Sequence, residues 1–279
     1  AATLSAYTET FVQAALEGIG VFFSSGDNGD EVNDPNNPNP GQRTTDFPAS
    51  HPWVTAVGGT SLGVGAKNNY LFETGWGTSK SVLTNGKWAP KPPGNWVYGA
   101  GGGTSQVFAQ PAYQKGVVPR SIANYFGRPA GRAVPDIAAV ADPNTGFLIG
   151  ETQTFPAANG KPSYQQYSEY RIGGTSLASP VMAGIEALAD QAAGRPHGFA
   201  NFQIYRLAGT SSFHDIVSPP QTMYVVRQDF ANGVDASNGL VTSLRALNQT
   251  ESLVVQPGYD DVTGVGTPNG MNYILRLGR

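Results

Sequence analysis

The chain has 279 residues, enough for one large α/β domain or two small ones. Its 17 Lys and Arg against 20 Asp and Glu leave a formal net charge of −3, which argues against the clustered basic surface of a nucleic-acid binder. There is no cysteine, so disulfides, thiolate metal sites and cysteine nucleophiles are excluded.

Only 13% of the residues are charged, a share that suits work in acid, where protonated carboxylates would otherwise leave a large positive charge. No run of 18 apolar residues predicts a membrane-spanning helix, and the start Ala1-Ala2-Thr3-Leu4 lacks a basic leader. That start reads as a processed product or as a cut from a longer chain. Gly (36) and Pro (21) together predict many loops between short buried strands.

In chain order, residues 7–17 read as a helix with Tyr7, Phe11, Ala14 and Ala15 on one face and Gly18 as its stop. Ile19 to Ser25 is a short apolar run of the kind found in a fully buried parallel strand. A polar turn follows at Gly26-Asp27-Asn28-Gly29, then an Asn/Pro-rich loop over 31–46. Trp53 to Val57 reads as a second buried strand, ending at Gly58-Gly59. Residues 63–100 carry hairpin-like alternation, Pro135 to Val140 a further strand, and 142–170 a long hairpin excursion. Leu177 to Ala193 is a helix, with Leu177, Val181, Ile185, Leu188 and Ala192 at helical spacing. Alternation resumes near Met223 to Val226. No internal repeat or linker divides the chain, and alternating helices and buried strands predict a doubly wound α/β sheet.

The sequence Gly-Gly-Thr-Ser-Leu occurs at 58–62 and again at 173–177, and a third Gly-Thr-Ser lies at 103–105. Only the copy with Ser176 runs straight into a strong helix. A serine there meets free backbone N–H groups and the positive end of the helix dipole, which favour the oxyanion formed when a carbonyl is attacked. A serine in this position is also an ordinary helix cap. Ser61 and Ser105 precede no helix pattern and read as structural.

The run GGTSLASPVMAG at 173–184 resembles the nucleophile motif of the subtilisin-like clan of serine peptidases. Within it, Ser24-Ser25-Gly26-Asp27-Asn28-Gly29 is similar to the SSGDSG turn of the sedolisin family, the serine-carboxyl peptidases. A subtilase would have Asn where Asp27 stands. The stretch from Phe47 to Thr60 resembles the family's FPASSPYVTAVGGT, and 101–108 and 132–143 match further blocks. The resemblance implies a subtilisin-like, doubly wound, mostly parallel sheet with helices on both faces. It implies Ser176 as nucleophile and Asp27 as the oxyanion-hole residue. An ionised carboxylate only accepts hydrogen bonds, so Asp27 can serve there only when protonated, which points to acidic conditions. The distance from Asp27 to Ser176 exceeds the family's usual spacing and implies insertions near 84–98 and 150–168.

The family's base is a Glu oriented by an Asp, on a helix well upstream of the oxyanion Asp. Only 26 residues precede Asp27 here, and neither Glu9 nor Glu17 is followed by an Asp at a helical step. His51, His197 and His214 lie outside any subtilase histidine motif. The expectation is therefore a single peptidase catalytic domain over 1–279 that lacks its N-terminal portion, with the Glu/Asp pair on an upstream segment of the same precursor. A peptide or protein substrate is implied, along with a pro-region inhibitor and secretion or an acidic, lysosome-like compartment; neither nucleic acid nor membrane is expected as a partner. Near the C-terminus the resemblance implies one structural Ca²⁺, with carboxylates from Asp215 and Asp260 and carbonyl oxygens from Ile216, Gln256 and Gly258. Two other readings remain: a catalytically incomplete fold used as a binding module, and a divergent subtilase.

Overall fold

The computed structural model describes residues 2–37, 39–157, 162–233 and 235–278. Helix α1 (Ala2–Leu16) reaches further toward the N-terminus than predicted and ends before Gly18, which adopts φ 76°. Strand β1 (Phe22–Ser24) is shorter than the apolar run that signals it and half-buried rather than fully buried, and Ile19 before it is half-exposed. Strand β2 (Thr55–Val64) does not end at Gly58-Gly59 but runs through both. A Cβ on Gly59 would lie 2.6 Å from the Ala141 methyl and 2.8 Å from the Trp76 ring, so the glycines mark close packing inside a strand.

Strands β3 (Tyr70–Gly75), β4 (Gly77–Thr84), β5 (Lys87–Ala89) and β6 (Asn95–Gly99) follow as hairpins. Strand β7 (Gly103–Ala109), helix α2 (Arg120–Ala123), β8 (Gly131–Val134) and β9 (Ile137–Val140) lead to the ribbon β10 (Phe147–Phe155) and β11 (Tyr164–Ile172). Helix α3 (Thr175–Ala193) follows at once, then α4 (Asn201–Arg206) and β12 (Phe213–His214). Strands β13 (Tyr224–Phe230), β14 (Leu240–Ala246) and β15 (Thr267–Pro268) and helix α5 (Gly270–Leu277) complete the order.

Strand β2 is the axis. It pairs in parallel with β1 on one edge (Phe22 with Thr55) and with β9 on the other (Val57 with Ile137). Its distal half pairs antiparallel with β3. Side chains alternate across this sheet as strand geometry requires. Phe22, Val57 and Ile137 join the core that contains Ala178 and Met182 of α3, whereas Phe23 packs with Ala56 and Val134 on the opposite face. Phe11 of α1 meets Phe23 edge-on at 5.7 Å. Helices thus cover both faces, as expected; apart from an isolated parallel bridge between Asn28 and Gly99, parallel pairing is confined to β1, β2 and β9, and every other strand ladder among the described residues is antiparallel.

One buried ion pair ties the sheet together. The Arg132 guanidinium binds both carboxylate oxygens of Asp136, at 2.9 and 2.6 Å, with both side chains fully buried. Asp136 also accepts from the Ala56 N–H and the Tyr205 hydroxyl, each at 2.8 Å. These bonds satisfy a charge that burial would otherwise make costly. The stripe that α3 buries differs from the predicted one: Leu177, Ala178, Met182, Glu186 and Ala189 are buried, while Leu188 is half-exposed. Val181 and Ile185 pack at the margin of this stripe, and a glutamate lies within it.

Candidate active site

The turn after β1 and the start of α3 are distant in sequence and meet in space. The Thr175 N–H and Oγ1 each lie 2.8 Å from Asp27 Oδ1. Thr175 Oγ1 is also 2.9 Å from Gly26 O, and the Gly26 N–H donates back to Oγ1 at 3.2 Å. The buried Thr175 thus clamps the turn to the helix N-terminus. Oδ1 is thus taken up by Thr175, and Oδ2 is the oxygen left outside that clamp. It faces Gly174, where a Cβ would lie 2.8 Å from it and where φ is 94°. Only glycine leaves that space open.

Ser176, the next residue, is exposed in the first turn of α3. Pro180 lies within the helix; having no N–H, it leaves the Ser176 carbonyl without its usual intrahelical partner. The other two Thr-Ser copies are structural. Ser61 is fully buried and donates to Asp142 Oδ2 at 2.7 Å, and Ser105 Oγ accepts from Val107 and Phe108 N–H at 3.1 Å.

The segment 99–101 holds the back of the turn. Gly99 N–H donates to Asp27 O, Gly29 N–H to Gly99 O, and Gly101 N–H to Gly26 O at 2.7 Å. A Cβ on Gly101 would overlap the Ser25 carbonyl and one on Gly102 the Asp261 carbonyl, so these two glycines serve close backbone approach, while Gly103 adopts φ 120°.

Carboxylates crowd the other side, a feature the sequence reading missed although Asp27, Asp30, Glu31, Asp34 and Asp46 are close in the chain. A Cβ on Gly26 would strike Asp46 Oδ2 and come within 3.2 Å of Glu31 Oε1. Burial, then the neighbouring Asp46 and Asp34, push Glu31 up to about 8, and Glu31 is only 4% exposed. Asp46 is raised by burial and by Asp34 and Asp27.

None of the histidines is bonded to the serine. His51 Nε2 lies 3.0 Å from Thr8 Oγ1 and its Nδ1 accepts from the Trp53 N–H; burial and Arg132 lower it to about 4. His214 stacks on Tyr70, and His197 lies 2.5 Å from Asp190 Oδ1.

The calcium candidates occupy two adjoining loops joined by the β12–β15 ladder. The Gly258 N–H donates to both oxygens of Asp215, at 3.0 and 3.1 Å. Ile216 is buried, and the Gln256 side chain bonds to Tyr259 O. Asp260 is fully buried and accepts from Val262 and Thr263 of its own turn. Burial raises Asp260 to about 7, and no cationic side chain pairs with it among the described residues. The donor set is all oxygen, which suits a hard cation, and a carboxylate accepting three bonds keeps one lone-pair direction free.

No family model matches the chain. Kumamolisin from a Bacillus species is 29% identical over 99% of this chain and 39% of its own length. Sedolisin from a Pseudomonas species is 33% identical over 77% of this chain and 32% of its own. Tripeptidyl-peptidase 1 of Rattus norvegicus is 30% identical over 93% and 37%. The solved Pseudomonas sedolisin, a serine-carboxyl proteinase complexed with two molecules of pseudo-iodotyrostatin, superimposes with a TM-score of 0.64 at 28% identity, covering 98% of this chain and 59% of that one. The chain thus spans about two fifths or less of the length of these curated relatives. Its homologues are serine-type peptidases, and along nearly its whole length this chain is a homologue of the sedolisin family.

Proposed function

We propose that this chain is part of an acid-acting serine-carboxyl endopeptidase that cleaves peptide bonds through an acyl-enzyme on Ser176. The observation that carries the reading is the joining of Asp27 to Thr175, which sets a carboxyl group beside an exposed serine at a helix N-terminus. In the first step Ser176 Oγ attacks the scissile carbonyl carbon and loses its proton to a carboxylate base. That base is a Glu, oriented by an Asp, on a segment outside this chain. Asp27, protonated on Oδ2, donates to the new oxyanion, and Thr175 keeps Oδ1 in place. The carbonyl reforms as the C–N bond breaks, and the leaving amine takes the proton from the base. Water then attacks the ester, the same base takes its proton, and Ser176 is released with that proton.

The carboxylate cluster beside Asp27 supports work in acid, since burial and the neighbouring acids raise both Glu31 and Asp46, so that each holds a proton more readily than a free carboxyl. Secretion, or residence in an acidic compartment, is the matching environment, and a pro-region is the partner that would hold such an enzyme inactive before it reaches acid. In the whole protein, assayed on a peptide substrate near pH 4, Ser176→Ala should lower kcat by on the order of 10⁶, the scale of losing a serine nucleophile. Ser105→Ala should keep most activity. Full activity of Ser176→Ala would overturn the reading.

We assign the calcium role to Asp215, Ile216, Gln256, Gly258 and Asp260. A bound ion would neutralise the buried Asp260 and brace the two loops, so its part is structural. Calcium at 100 times its Kd should stabilise the protein by about 2.7 kcal/mol through mass action. Chelation should lower Tm, and Asp215→Ala should remove that sensitivity; a Tm indifferent to chelator would count against the site.

A further inference from the structure

The far end of α3 holds a second group of ligating atoms, unrelated to the serine. Glu186 and Asp190 stand one helical turn apart, and the loop after the helix folds back to bring His197 against both. His197 Nδ1 lies 2.5 Å from Asp190 Oδ1 and 3.6 Å from Glu186 Oε1. The His197 backbone N–H also donates to Asp190 Oδ1 at 2.8 Å, which fixes the ring over the helix. The Tyr273 hydroxyl of α5 donates to the other Glu186 oxygen at 3.0 Å.

Two observations say that protons alone do not complete this group. Glu186 Oε1 is buried without a hydrogen-bond partner, on a side chain only 6% exposed, and it faces Nδ1. Nδ1 has one site for a proton and two carboxylates beside it, so a proton shared with Asp190 leaves Glu186 bare. Charge gives the same answer. Among the described residues His197 is the only ion-pair partner of either acid, so one imidazole ring faces two acids packed against the core. A dication between the three atoms would satisfy all of them at once and bring the charge to zero with a neutral imidazole.

We propose that Glu186, Asp190 and His197 form a binding site for one divalent transition cation of the zinc type. One nitrogen and two carboxylate oxygens make a mixed set that such ions accept at about 2.0–2.2 Å. Hard calcium wants six or more oxygens and is a poor match. Asp190, 34% exposed, leaves the group open to solvent on one side, where water completes the coordination. The Tyr273 hydroxyl is the outer partner that orients Glu186. An ion here would cross-link α3 to the loop that follows it.

The test is titration of the metal-free whole protein near pH 7 with Co²⁺ alone, read by visible absorption, followed by displacement with Zn²⁺. One equivalent of Co²⁺ should bind and produce d–d bands, and Zn²⁺ should abolish them. Asp190→Asn and His197→Asn should each weaken binding by more than ~100-fold, above the ~10–100-fold expected for Tyr273→Phe as an outer-sphere change. Asp190 is partly exposed, so Asp190→Asn should fold, as circular dichroism will show. Asp215→Ala should bind Co²⁺ like the parent. Absence of saturable Co²⁺ binding, binding unchanged in Asp190→Asn, or displacement by a small excess of Ca²⁺ would each overturn the proposal.

Discussion

The parallel strands β1, β2 and β9 and the ribbon β10–β11 are built on opposite terms. Every residue of β9 is buried, whereas the ribbon is exposed along nearly all of both strands. The ribbon holds itself by its own ladder and by pairs such as the stacked Phe155 and Tyr164 rings, 4.9 Å apart. Yet the ribbon leads directly into Gly173 and Ser176, while β1 leads directly into Asp27. A two-stranded ribbon is marginal alone and cannot by itself hold a side chain to the few tenths of an ångström that chemistry needs. What holds Ser176 is α3 lying on the parallel strands, and what holds Asp27 is Thr175 on that same helix. Length can vary in the ribbon without moving either group.

The largest expected effect separates the two regions by stability. Asp136→Ala leaves the buried Arg132 charge unpaired and should cost about 3–5 kcal/mol in urea denaturation. In the ribbon, Tyr167→Ser removes an exposed ring and should stay within about 0.5 kcal/mol. Similar costs for the two variants would break the distinction between a rigid floor and a dispensable ribbon.

A smaller effect concerns pH. Glu31 is held at about 8, above its unfolded value near 4.5, chiefly by burial and next by Asp46 and Asp34. A raised folded value means that its contribution is fully present below pH 4.5 and is lost as pH rises toward 8. The turn that carries Asp27 is therefore best supported in acid. Glu31→Gln cannot ionise, so its Tm should fall less between pH 5 and 8 than that of the parent. Parallel Tm curves would show that Glu31 does not contribute to the pH response.

Much of this was legible in the sequence. The apolar runs before Asp27 and over Ile137 to Val140, the helix after Ser176 and the hairpin before it are local patterns, and each is where periodicity put it. The errors came where distant residues decide. Gly58-Gly59 read as a strand end, but Val262 and Pro135 at Gly58, and Trp76 and Ala141 at Gly59, make them a point of close packing within β2. Apolar spacing placed Ile185 and Leu188 in one stripe of α3; Ile185 packs against the core, but Leu188 is half-exposed, and Glu186, bonded by Tyr273 and beside His197, is buried. Thr175 read as part of a motif, and its clamp on Gly26 and Asp27 spans 149 and 148 residues of sequence, beyond the reach of any window. The crowding of Glu31 and Asp46 on Gly26 involves residues close in the chain, but it arises only once the loop that precedes β2 returns Asp46 to the turn.

The central claim is that Asp27 works as a protonated donor beside Ser176, and the pH–rate profile of Asp27→Asn tests it most directly. Loss of one oxyanion donor costs about 10²–10³ in kcat; Asn restores a donor of different strength and geometry, so the variant should be slower than the parent in acid by less than that. Above the acid optimum the parent should lose rate as Asp27 ionises, because a carboxylate cannot donate, and the variant should lose less. An Asp27→Asn enzyme with the parent's rate and the parent's pH profile would contradict the account.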